Sequence, residues 1–178
     1  GSPFLYYTNG CSCSEVLIDR FTGDMKVERV DILMDIGKSI NPGLNRGQIT
    51  GAFIQGMGWL TNEDLRYSSS GALLSYSPTT YKIPNIYDTP PIFNVDVIDN
   101  DCTVNVRGSK AVGEPPLLLA NSVFMAVKNA LSYVCGEQIP TLTTPATNEE
   151  ILARLTQYKQ EAQGQPFKPW FGADSPVL

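Results

Sequence analysis

The chain has 178 residues, 42% of them hydrophobic, with 13 basic against 18 acidic side chains, a net charge of -5 and no histidine. That length suits one domain with its own core, and the acidic balance leaves no basic stripe for a phosphate backbone, which argues against nucleic acid as a partner. Without histidine the chain cannot itself build Ser-His-Asp or Cys-His catalysis or imidazole metal sites, so acid and base work falls to carboxylate, lysine or tyrosine.

The first element is a hairpin. Residues 15–19 read as a strand, Thr22-Gly23-Asp24 as its turn, and Met25 to Ile36 as a second strand in which Val30, Ile32, Met34 and Ile36 alternate with Asp31, Leu33 and Asp35. Asn41-Pro42 then supplies an N-cap followed by proline at the first helical position, predicting a helix to about Leu65. This helix carries Gly43, Gly47, Gly51, Gly56 and Gly58, and each interior glycine costs about 1 kcal/mol relative to alanine. Two explanations stand open: tight packing against another element, or a face left bare for a ligand, with the amides of Gln48 and Gln55 nearby.

A turn follows at Ser68 to Gly71, then an extended connector with prolines at 78, 84, 90 and 91. Ile92 to Ile98, a turn at Asp99-Asn100-Asp101, and residues 102–107 read as a second hairpin, with Cys102, Val104 and Val106 on one face. After the loop RGSKAVGEPPL, Pro115 to Val134 reads as one long core helix with an apolar stripe through Leu117, Ala120, Phe124, Val127, Leu131 and Val134. Thr147 and Glu150 form a capping-box pattern that opens a short helix with Ile151, Leu152, Leu155 and Tyr158. The expected class is α+β, with residues 1–158 as one domain and residues 159–178 as an extended tail.

The four cysteines, Cys11, Cys13, Cys102 and Cys135, include no C-x-x-C pair and read as reduced thiols of a cytoplasmic protein. No apolar run approaches the roughly 20 residues of a membrane span, and no signal peptide is visible.

Glu114 stands between Gly113 and two prolines. A following proline disfavours helical backbone, so Glu114 is expected to be extended, at the start of a long helix whose macrodipole favours an anion. It could serve only to stabilise that helix start, although glutamate is a weak N-cap beside Ser, Thr, Asp or Asn. Gly113 permits close approach by a ligand.

Taken together, SEVLIDRFTGD, DIGKSINPGLNRGQITGAFIQGMGWLTNEDL, TTYKIP and SKAVGEPPLLLANSVFMAVKNA closely resemble the C-terminal part of the molybdenum-binding subunit or domain of xanthine dehydrogenases and related molybdenum hydroxylases. The resemblance runs in one order from about Pro3 to about Leu155, and TTPATNEEI resembles the closing S-P-A-T-x-E-x-I segment of that family. It implies that these hairpins and helices are part of a larger molybdopterin-binding domain. It implies that Glu114 acts as general base beside the molybdenum, that Gln48 contacts the pterin, and that the backbone at Gly113 lies against the metal's ligands, with no residue of this chain ligating the metal.

The chemistry implied is hydroxylation of an electron-poor carbon with oxygen from water. Gly-Glu-Pro-Pro resembles the xanthine dehydrogenase branch more than the aldehyde oxidases, which often carry glycine where Pro116 stands, so the implied substrate is a purine such as hypoxanthine or xanthine. The implied partners are the remainder of the molybdenum subunit and iron-sulfur and FAD domains or subunits, which hold 2Fe-2S clusters and FAD outside this chain. The cofactor is molybdenum-molybdopterin, its nucleotide form left open between the plain pterin and the cytosine dinucleotide. This chain alone is expected to be inactive. An aldehyde or N-heterocycle hydroxylase, or a catalytically silent assembly module, are the alternatives.

Overall fold

The structure is a computed structural model that describes residues 1, 3–135 and 139–164. Three strands, β1 (Gly10–Ile18), β2 (Met25–Asp35) and β3 (Ile92–Ile98), form one sheet in the order β1-β2-β3. Four α-helices accompany it among the described residues: α1 (Pro42–Thr61), α2 (Pro115–Leu119), α3 (Asn121–Ser132) and α4 (Asn148–Ala162). The class is α+β.

β1 and β2 pair antiparallel through the expected turn, where Gly23 N–H donates to Asp19 O at 2.8 Å. The alternation in β2 buries Val30, Ile32 and Met34, and Ile36 just beyond, to 3% exposure or less. Burial of each such side chain contributes about 1.5–3 kcal/mol. They pack with Ile49, Phe53 and Met57 of α1 and with Val123 of α3. A second cluster joins Val127 and Leu131 of α3 to Ile151 and Tyr158 of α4.

Several elements differ from the sequence reading. β3 does not form a hairpin with residues 102–107; it pairs parallel with β2, Arg29 opposite Ile92 and Asp35 opposite Ile98, with α1 inside the crossover. The return leg buries only Cys102 of its expected apolar face, since Val104 and Val106 are 64% and 85% exposed. Its backbone turns through a 3-10 segment at Val106–Gly108, and Ser109 bridges to Gly37. Parallel pairing is favoured by α1 itself: Arg46 donates to Val95 O at 3.2 Å, and Phe53 meets Phe93 edge-on with ring centres 5.5 Å apart.

The long core helix is broken at Ala120 into α2 and α3. Ala120 is fully buried, and a Cβ on Gly56 of α1 would lie 2.9 Å from Ala120 Cβ and 2.5 Å from Leu117 O. The two helices meet there at backbone distance, and the break lets α2 lie on α1 while α3 packs on β1 through Ser122 Oγ and Ser14 Oγ, 2.6 Å apart. α1 itself ends at Thr61, four residues before the expected Leu65, where Asn62 and Glu63 N–H both return to Gly58 O.

α4 is capped by Thr147, whose Oγ accepts Glu150 N–H at 3.2 Å. The reciprocal half of the capping box is missing, because the Glu150 carboxylate accepts Thr143 N–H at 3.0 Å and pairs with Arg154 at 2.7 Å. α4 continues through Ala162, past the Lys159 where the tail was expected to begin, and residues 165–178 of that tail lie outside the described residues. No helix among the described residues is long and apolar enough to cross a membrane.

Candidate functional site

Asn41 caps α1 as its sequence predicts, its Oδ1 accepting Leu44 N–H at 3.1 Å. The glycines of this helix divide by face. Gly56 is the close contact with α2 described above. A Cβ at Gly47 or Gly51 would instead meet no atom within 4 Å, and both positions are exposed. Gln48 and Gln55 are exposed alongside them. The Gln48 amide makes no hydrogen bond among the described residues.

The loop of residues 107–114 arrives at this bare face. A Cβ on Gly113 would fall 2.9 Å from Gln48 Oε1, closer than real side chains approach, so Gly113 is the residue that admits the Gln48 amide. Gln48 and Gly113, 65 positions apart in sequence, are thereby brought together.

Glu114 follows directly. Its backbone is not extended as expected; it is helical, with φ -108° and ψ -41°. Pro115 and Pro116 have no N–H, so the first donor of α2 is Leu117 N–H, and Glu114 O must turn inward to accept it at 3.0 Å. That bond offsets the pre-proline clash. α2 is also only five residues long, which removes the long-helix dipole from the argument. The Glu114 side chain is exposed and caps no N–H of α2. It makes no hydrogen bond or ion pair among the described residues.

A further cluster, not visible in the sequence pattern, holds the loop from behind. Asp35 alternates with apolar residues and reads as outward-facing, yet it is 2% exposed. Lys110 Nζ lies 2.5 Å from Asp35 Oδ2, with the two side chains 8% and 3% exposed. Gly37 N–H and the Asn100 amide each donate to the same carboxylate at 2.9 Å. Burial pushes the Asp35 carboxyl up, but the bonds from Lys110, Gly37 and Asn100 and the Lys110 charge outweigh it and hold the group below the usual carboxylate range. Lys110 was hidden to sequence reasoning because its partner lies 75 residues away.

An apolar groove of about 700 Å³, lined by Leu73, Tyr76, Pro78, Tyr81 and Ile83 among others, includes none of Gln48, Gly113 and Glu114. It belongs to the proline-rich connector, which Tyr81 ties to the end of α1 by donating to Glu63 at 2.5 Å. Among the described residues no cluster of three or more Cys, Asp or Glu side chains could hold a metal ion.

Residues 1–90 match the family model of the molybdopterin cofactor-binding domain. The chain is 45% identical to xanthine dehydrogenase/oxidase of Gallus gallus, over 96% of this chain and 13% of that protein. It is 42% identical to aldehyde oxidase 2 of Macaca fascicularis, again over 96% of this chain and 13% of the relative. The solved structure of the aldehyde oxidoreductase from Desulfovibrio desulfuricans superposes with a TM-score of 0.70 at 30% identity, over 85% of this chain and 16% of that one. The chain therefore spans about an eighth of the length of the curated relatives it matches. The match over residues 1–90 and these relatives lead to one conclusion: the chain belongs to the molybdopterin cofactor-binding domain family, within the xanthine oxidase family.

Proposed function

We propose that this chain supplies one wall of the active site of a cytoplasmic molybdenum hydroxylase that oxidises a purine, hypoxanthine or xanthine, and that Glu114 is its general base. The observation that carries the proposal is the combination at the 113–114 loop. An exposed carboxylate with no capping duty stands one residue from the point where Gln48 meets Gly113, beside a helix face bare of side chains. A glutamate kept only to stabilise a helix start would be engaged with that helix.

The bare face at Gly47 and Gly51 and the free Gln48 amide fit a bound pterin. Bound molybdenum-molybdopterin supplies Lewis-acid activation of water near neutral pH and accepts the two electrons of the oxidation. The residues of this chain do the rest. Gln48 offers both an amide donor and an acceptor to the pterin, fixing its edge against α1. Gly113, lacking a side chain, lets the cofactor approach the backbone. Glu114 takes up the proton that the activated water releases, and its exposed side chain can pass that proton on to solvent.

The remainder of the molybdenum subunit would complete the substrate pocket, and iron-sulfur and FAD domains would carry the electrons away. The fragment alone would be inactive. The purine assignment rests on the xanthine dehydrogenase relatives and on Pro116; the 42% identity to an aldehyde oxidase favours an aldehyde or N-heterocycle substrate as the second reading. Steady-state rates of the complete enzyme with xanthine, an aromatic aldehyde and quinoline separate the two.

The test of the base is Glu114→Gln in the complete enzyme. Molybdenum content should stay at the wild-type level while kcat falls about 10²- to 10⁴-fold, the range a positioned general base contributes. Turnover within a factor of three of wild type would remove Glu114 from the mechanism.

A further inference from the structure

We propose that the buried Asp35–Lys110 ion pair is the device that sets the loop carrying Glu114 against α1, which makes Lys110 a positioning residue for that base. The functional half of this inference rests on the reading of Glu114 given above; the structural half does not. Four separated stretches of chain converge on the pair. Lys110 Nζ donates to Asp35 Oδ2 at the end of β2 and to Tyr7 O at 2.9 Å. Asn100 donates to the same carboxylate from the segment after β3. The backbone is stitched alongside: Lys110 N–H to Ile36 O at 2.9 Å, Lys38 N–H to Gly108 O at 2.8 Å, and Ala111 N–H to Tyr6 Oη at 3.1 Å.

Beyond Ala111 the loop reaches Gly113 at Gln48 and is clamped again by buried Pro116 in α2. Glu114 thus sits between two fixed points. It stands four residues from Lys110, a reach of at most about 14 Å. A buried ion pair is a poor way to gain stability, because desolvation consumes much of the attraction and an apolar pair of equal volume does as well. What the pair supplies that an apolar contact cannot is direction. A fixed ammonium must point at a fixed carboxylate, and one register of the loop satisfies both.

The experiment uses the complete enzyme. Lys110→Met alone strands the Asp35 carboxylate and could cost folding, so the deciding variant is Asp35→Asn with Lys110→Met, which leaves no charge buried. Amide hydrogen exchange across residues 108–114 should accelerate at least tenfold, with β2 and α1 unchanged. In the same variant kcat should fall at least tenfold at a KM within twofold of wild type and at unchanged molybdenum content. A merely structural role would not confine the change to kcat and to that loop. Wild-type exchange across 108–114 overturns the inference, and so does unchanged kcat in the double variant when Glu114→Gln has abolished turnover. Should Glu114→Gln itself turn over normally, the base assignment falls and the exchange result alone decides whether the pair positions the loop.

Discussion

Two glycines of α1, five residues apart, should respond to the same substitution in opposite directions. Alanine in a helix interior is favoured over glycine by about 1 kcal/mol. At Gly51 nothing lies within 4 Å of the new methyl, so Gly51→Ala should keep that gain. At Gly56 the methyl would lie 2.5 Å from Leu117 O and 3.1 Å from Leu117 Cα. Those are backbone atoms of α2 and cannot turn aside, so overpacking should cost about 2–3 kcal/mol, the upper part of its usual range. Less the helix gain, Gly56→Ala should be destabilised by about 1–2 kcal/mol, which sets the two variants roughly 2–3 kcal/mol apart. For a chain of this size that separates their midpoints by about 4–12 °C in thermal unfolding followed by circular dichroism. A lower midpoint for Gly51→Ala, or a higher one for Gly56→Ala, would refute the division of this helix into a bare face and a packed face. In the complete enzyme the stabilised Gly51→Ala variant should also bind less molybdenum, since its methyl occupies the face proposed for the pterin.

Gly113→Ala sets a methyl against the flexible end of Gln48, so its stability should shift by less than about 1 kcal/mol while molybdenum content, read by metal analysis, falls as the amide is displaced. The Asp35 carboxyl is held below its unfolded value of about 3.9, so its contribution is present above that pH and lost as pH falls through the folded value. Asp35→Asn should therefore differ most from wild type in urea denaturation at neutral pH, and the gap should close below about pH 4; a gap that widens on acidification would contradict the sign.

Local features of the fold were legible because their physics is local. The hairpin turn at Gly23, the Asn41-Pro42 start of α1 and the α4 stripe through Ile151 and Tyr158 each depend on residues within a few positions of one another. The parallel β2–β3 pairing was not legible. Residues 102–107 alternate well enough for a strand, but Val104 and Val106 are left exposed and the chain just beyond, at Gly108 and Ser109, pairs with Lys38 and Gly37. Likewise, nothing in the period from Pro115 to Val134 marks the break at Ala120, which answers to Gly56 on another helix. Of the site, Gln48, Gly113 and Glu114 were chosen through resemblance of their motifs. That Gln48 lies against Gly113 required the fold, and Asp35 was read on the wrong side of its strand because alternation assumes one buried face.

The direction of β3 has a consequence for where chemistry can sit. Because β2 and β3 run the same way, their carboxyl ends coincide, and the Ile36–Ser39 segment and the chain after Ile98 both issue from that edge. Open sheets with parallel strands bind their ligands beyond the carboxyl ends, and here even two such strands are enough to gather Asp35, Asn100 and Lys110 at one rim. Run β3 the other way and its seven residues, at about 3.3 Å each, would carry the following loop some 20 Å to the opposite rim, out of reach of Asp35 and of the bare face of α1.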